Sequence, residues 1–263
     1  MRGVFIGLMA CLTGLAGAAH ASCPAPQFRP AKEVHLEGDS VMIATHPSAT
    51  FDARFSAKYG VDEAVRFAKS KKIPVVYLAD DSPIRYYYME DCDPDHWVAS
   101  RDGEVEFEVA PTHVYVAGGH MELCLSRSLH DILYQWSRKP ARNLTVTFLL
   151  DAIYSNGKSV EPSDPYYSDF NWFMGIITYG RPGGETWPKL NLLEMTGIIK
   201  KPANDLLFLE KILPRWDRTF PKDYRVELQF NEFAPRVLRP GGGLFAPRLR
   251  FNFVDSADVF LAQ

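Results

Sequence analysis

The chain has 263 residues, a formal net charge of −3 and 46% hydrophobic residues, enough to bury a real core as one domain, with or without an extension. This mild acidity excludes nucleic-acid binding driven by a basic surface. After the first 21 residues no apolar run is long enough to span a bilayer, so the remainder reads as a soluble body.

Residues 1–21 read as a secretory leader. Arg2 supplies the positive start, residues 4–18 the apolar run, and Ala19-His20-Ala21 the small-x-small cleavage site. Export to the periplasm or the medium is therefore expected. Cys11 leaves with the leader, and the odd set Cys23, Cys92 and Cys124 remains in an oxidising compartment. One intrachain bridge is the maximum. Pairing Cys23 with Cys92 leaves Cys124 free, whereas pairing Cys92 with Cys124 removes any thiol chemistry.

Residues 41–45 form an apolar β-branched run, expected as a buried strand that stops at His46-Pro47. Val61, Ala64, Val65 and Ala68 trace a helix stripe, with Asp62 and Glu63 expected in its first turn and Lys69, Lys71 and Lys72 in its last. Residues 74–79 give a second apolar strand, completing a strand–helix–strand unit that implies parallel pairing. Residues 80–100 look irregular. Val105, Phe107 and Val109 alternate with three glutamates, the pattern of a half-wet strand near an edge.

The centre of the chain is residues 113–133. An apolar strand from His113 to Ala117 runs into a Gly118-Gly119 break, and a helical pattern begins around Glu122. Leu125, Leu129, Ile132, Leu133 and Trp136 fall on one face of that helix. Cys124 lies in its first turn, where unpaired N–H groups and the positive dipole end favour thiolate. A further strand, residues 144–153, carries Asp151 near its end. Beyond residue 155 prolines and glycines break the chain into short pieces, with a helical pattern at residues 205–213. Residues 224–230 and 249–253 alternate in the manner of strands, and an antiparallel hairpin across Pro240-Gly241-Gly242-Gly243 is expected. The expected fold class is α/β: a mainly parallel sheet with flanking helices over residues 22–154, then a β-rich C-terminal extension over 155–263 packed on the same domain.

The strand, the Gly-Gly turn, the run from Gly118 through Glu122 to Cys124-Leu125, and Leu150-Asp151-Ala152 on the next strand together resemble the isochorismatase-like cysteine hydrolases over residues 41–153. The resemblance implies a nucleophilic cysteine at Cys124, an aspartate ending the first strand, and a lysine before the cysteine. This chain departs at both partners. Thr45-His46-Pro47 stands where the aspartate belongs, and the nearest downstream carboxylate is Asp52. No lysine lies between Pro74 and Lys139; Arg101 is the nearest cation by position and cannot shed a proton. His46 or Asp52 could replace the missing base for Cys124. The bland reading makes Cys124 a small buried hydrophobe or half of a disulfide.

The acidic turn supplies Asp91, Asp93 and His96, hard oxygens and one imidazole that suit a divalent ion. The plainer reading, and the favoured one, is an Asp-Pro turn with carboxylates capping local N–H groups, so no cofactor is expected. Arg236, Arg239, Arg248 and Arg250 flank residues 241–243 and could hold an anion, or simply line the wet side of a hairpin. Two functions follow. One is an exported, non-catalytic protein that binds a small molecule or a protein partner; the other is a cysteine-dependent hydrolase of a small amide or related carbonyl.

Overall fold

A computed structural model describes residues 27–31, 34–88, 94–138, 142–155, 157, 193, 223–231, 234–243 and 246–261. The leader, Cys23, Cys92, Asp91, Asp93 and the helix expected at residues 205–213 lie outside the described residues.

Among the described residues nine strands form a single sheet: β1 (Phe28–Pro30), β2 (Ser40–Thr45), β3 (Val75–Ala79), β4 (His96–Ala99), β5 (His113–Gly118), β6 (Leu144–Ile153), β7 (Arg225–Phe230), β8 (Arg236–Arg239) and β9 (Arg248–Val254). Their spatial order is β1-β4-β3-β2-β5-β6-β9-β7-β8. Every pairing is parallel except β7 with β8 at the edge. The central strands are apolar on both sides because both faces are covered; Val41 through Thr45 are all 0% exposed.

Two longer helices among the described residues cover opposite faces. α1 (Lys58–Ser70) packs Val61, Ala64, Val65, Phe67 and Ala68 onto Met42, Ala44, Tyr77, Tyr115 and Ala117. α2 (Cys124–Ser137) packs Leu125, Leu129, Ile132, Leu133 and Trp136 onto Val41, Ile43, Val114, Val116 and Phe148. Each fully buried side chain of this size stabilises the fold by about 1.5–3 kcal/mol. The short helix α3 (Asp258–Leu261) closes the described chain, and Phe260 meets the Phe67 ring of α1 at 4.9 Å. The result is a doubly wound α/β sheet.

Four expectations are corrected. No acidic residue lies in the first turn of α1, because the helix starts at Lys58 and places Asp62 and Glu63 one turn later. Residues 96–99, read as irregular, form β4 beside β3. Residues 105–109 do not form a strand. Val105 and Phe107 do point inward, but the backbone is held by side chains of α2: Asp131 accepts from the Val105 N–H, and the Gln135 carboxamide bonds Phe107 N–H and Val105 O at 3.0 and 2.9 Å. A side-chain clamp thus holds one edge of this backbone, while the other makes only an isolated parallel bridge, Phe107 opposite Val34. Finally, β7 and β9 are not an antiparallel hairpin. They pair in parallel, Arg225 opposite Arg248 through Phe230 opposite Phe253, while the intervening β8 turns back on the outer side of β7. β9 then inserts between β7 and β6, where its alternate apolar residues Leu249, Phe251 and Phe253 are fully buried.

Candidate functional site

In a doubly wound sheet, ligands bind beyond the carboxyl ends of the strands where the winding reverses. Here β2 leads through α1 toward β3, and β5 leads through α2 toward β6 in the other direction, so the reversal lies between β2 and β5. Thr45, His46, Gly118, Gly119 and Cys124 sit at that crevice. Gly118 is required there. At φ +85° its backbone presses against β2, and an added Cβ would stand 2.0 Å from the Thr45 carbonyl oxygen.

Cys124 is the first residue of α2, as the periodicity implied. It is free and only partly buried. Its electrostatic setting opposes the thiolate that a helix start favours. Burial pushes the thiol pKa up to about 12, and the side-chain charges acting on it are the carboxylates of Asp102, Asp80 and Glu122, which push the same way. Desolvation and negative charge outweigh the helix terminus. The loop before β5 explains the burial: Gly103, at φ +86°, lies flush on the first turn of α2, where a Cβ would come 2.1 Å from the Cys124 carbonyl oxygen. Ser128 locks this contact by donating to the Gly103 carbonyl at 2.7 Å, and the Thr45 hydroxyl lies 3.0 Å from the Ser128 hydroxyl. Thr45 thus fills the strand end where an aspartate was sought, and its polar atom is tied to α2.

His46 is 1% exposed, in the left-handed region at φ 44°. Its Nε2–H donates to the Ser100 carbonyl oxygen at 2.7 Å, which fixes the proton on that nitrogen. Its ring stacks on Phe51 at 5.2 Å. Burial lowers its pKa, opposed by the Ser100 bond and by the charges of Asp80 and Asp102. The imidazole is therefore neutral at neutral pH. Asp52 is also buried, and both of its carboxylate oxygens are engaged: Oδ2 accepts from the Ala57 N–H at 2.8 Å and Oδ1 from the Ser56 hydroxyl at 2.9 Å. Ala57 has no side chain that can cap α1, so Asp52 satisfies an orphan donor there. Among the described residues neither His46 nor Asp52 hydrogen-bonds the Cys124 sulfur.

Several neighbours of the crevice were not anticipated. Asp80, just beyond β3, accepts from the Tyr87 hydroxyl at 2.7 Å and from the Ser82 N–H at 2.9 Å. Tyr154, fully buried beyond β6, donates to the His46 carbonyl oxygen at 2.6 Å. His120 meets Phe51 and Tyr154 edge-on. A carboxylate one residue past an apolar strand was the readable signal for Asp80; nothing local marks Ser100 or Asp102. A cleft of about 630 Å³, lined by Asp80, Asp81, Ser82, Ser100 and Arg101 among others, opens over the ends of β3 and β4 beside the crevice.

Of the three candidate ligands in the acidic turn, only His96 lies among the described residues. It begins β4 and so lies at the opposite end of the parallel sheet from Cys124. Its neighbour Asp95 accepts from the Val75 N–H at 2.8 Å. Among the described residues no three His, Cys, Asp or Glu side chains are placed to hold a metal ion. No described helix is long and apolar enough to cross a membrane.

No family model matches the chain, and no curated protein matches it. Solved structures similar to it include an isochorismatase from Pseudomonas putida KT2440, at 10% identity and TM-score 0.32, covering 52% of this chain and 78% of that one. A cysteine hydrolase from Pseudomonas syringae pv. phaseolicola 1448A is similar at 12% identity and TM-score 0.31, covering 55% and 86%. The MAR1 ribonuclease of Caenorhabditis elegans is similar at 11% identity and TM-score 0.30, covering 47% and 69%. Several neighbours are thus isochorismatases or cysteine hydrolases, at low identity and low TM-score. Likeness at this level does not bear on chemistry, which rests on the residues.

Proposed function

We propose that this is an exported isochorismatase-like α/β protein that binds a small molecule or a protein partner at the β2–β5 crevice without using cysteine chemistry. One observation carries the reading: the Cys124 thiol is pushed up to about 12 by burial and by surrounding carboxylates. A nucleophilic cysteine needs the reverse, a neighbouring cation or a free base that favours thiolate. The commitments of His46 to Ser100 and of Asp52 to the start of α1 support the same conclusion. What favours the cysteine hydrolase instead is position, since Cys124 opens α2 at the switch point.

Alkylation of the native, unreduced protein with iodoacetamide across a pH series separates the two. The expected outcome is negligible Cys124 labelling near neutral pH, rising only in strongly alkaline buffer. A labelling curve with its midpoint below about 8.5, the range of an ordinary or activated thiol, would overturn the non-catalytic reading.

A further inference from the structure

On the α1 side of the sheet, the neighbouring strands β7 and β9 carry a charged ladder while their other face is core. Strand alternation places Arg225, Glu227 and Gln229 on one side of β7, and Arg248, Arg250 and Asn252 on the same side of β9. Arg225 stands directly opposite Arg248, and Glu227 opposite Arg250. Two guanidinium groups on paired strands repel unless an anion lies between them.

One carboxylate is available, and it is mostly spent elsewhere. Glu227, 3% exposed, takes two donors of Arg250 on Oε2 at 2.8 and 2.7 Å, and Arg225 Nε on Oε1 at 2.6 Å. Arg248 stands 3.9 Å off Oε2, too far for a hydrogen bond, and its Nε is buried without a partner. Among the described residues Glu227 is the only carboxylate in ion-pair range of the three arginines, which leaves an excess of two positive charges. Arg225 and Arg248 are 44% and 38% exposed in their side chains, so both terminal forks can reach a solute.

We propose that the Arg225–Arg248 pair, backed by the Arg250–Glu227 bridge, binds a tetrahedral oxyanion, a phosphate or sulfate group, on this face of the sheet. Guanidinium forks match such oxygens in pairs, and Glu227 holds Arg225 and Arg250 in place while leaving the outer donors open. The site lies on β7 and β9, away from the β2–β5 crevice, and does not depend on the function proposed there.

The test is isothermal titration calorimetry of the full mature chain with sodium phosphate and with sodium sulfate, against sodium chloride at matched ionic strength. Saturable one-to-one binding of at least one oxyanion is expected, weakened about tenfold or more in Arg225→Gln/Arg248→Gln. Should that double variant fail to fold, Arg248→Gln alone serves, because its guanidinium has no close partner to lose. Phosphate affinity that rises between about pH 6 and pH 8, as the second proton leaves, assigns the site to phosphate groups. Tighter, pH-independent sulfate binding assigns it to sulfate groups. Heats equal to those of chloride, or Arg248→Gln binding as wild type does, would overturn the proposal.

Discussion

Single side chains set the chemistry of the crevice, and two of them can be moved in predictable directions. Asp102 is the first charge that pushes the Cys124 thiol up. Asp102→Asn removes that negative charge, so the thiolate becomes easier to form and the alkylation profile shifts to lower pH, with burial still dominant. Asp151 behaves in the opposite sense to a salt-bridged carboxylate. Burial, helped by the negative charge of Asp258, raises it from 3.8 to about 6, and its Oδ1 is buried without a partner. The folded state therefore holds a proton that the unfolded chain releases. The stabilisation is fully present below pH 3.8 and is lost as pH rises through about 6. With allowance for solvent screening the effect is about 1–2 kcal/mol. Asp151→Asn should accordingly gain about that much at pH 7 and almost nothing at pH 4, as read from urea unfolding at the two pH values. Gly103→Ala places a methyl group against the Cys124 carbonyl in a left-handed backbone, and a loss of about 2–4 kcal/mol in the same measurement is expected.

At the scale of elements, the segment 103–109 is a strap tied to α2 by polar side chains rather than a strand tied by a ladder. Its far side adds two backbone bonds, Glu106 N–H to Ala31 O at 2.7 Å and Glu108 N–H to Val34 O at 3.1 Å. Gln135→Ala leaves the Phe107 N–H and the Val105 carbonyl without their partners. The expected result is amide exchange at Phe107 about tenfold faster or more, with the helix amides of α2 unaffected. Unchanged protection at Phe107 would mean that its packing, not the carboxamide clamp, holds the strap.

For the whole molecule, the decisive feature is that β9 lies inside the sheet although it comes last among the strands. It pairs with β6 on one side and β7 on the other, so the C-terminal strands extend the sheet begun by β2. Phe251, 0% exposed, packs near Phe148 and sits between both neighbours. Phe251→Ala should cost about 3–5 kcal/mol and lower the melting temperature of the entire protein in one transition. Two transitions, with only the later one shifted little, would show that residues 225–254 fold apart from the rest.

How much of this was legible depended on whether the cause was local. Residues 41–45, 113–117 and 144–153 announced buried parallel strands because a run apolar on both sides has few other homes. The stripe from Leu125 to Trp136 announced α2 and put Cys124 at its start. Val105 and Phe107 gave a true inside–outside pattern, yet that backbone is held on one edge by a glutamine and an aspartate of a helix and on the other only by an isolated bridge, which alternation cannot reveal. The pairing of β7 with β9 was likewise hidden. Both strands alternate, and alternation fixes which side chains face the core but not which edge or direction the backbone adopts. His46 and Asp52 were visible as residue types, while their commitments to Ser100 and Ala57 arise from chain crossings. The sequence by itself determined the alternation of strands and helices and the place of the sulfur. Only the tertiary structure decided that burial and the carboxylates of Asp102, Asp80 and Glu122 act together on this sulfur, because desolvation and charge depend on what long-range packing brings alongside.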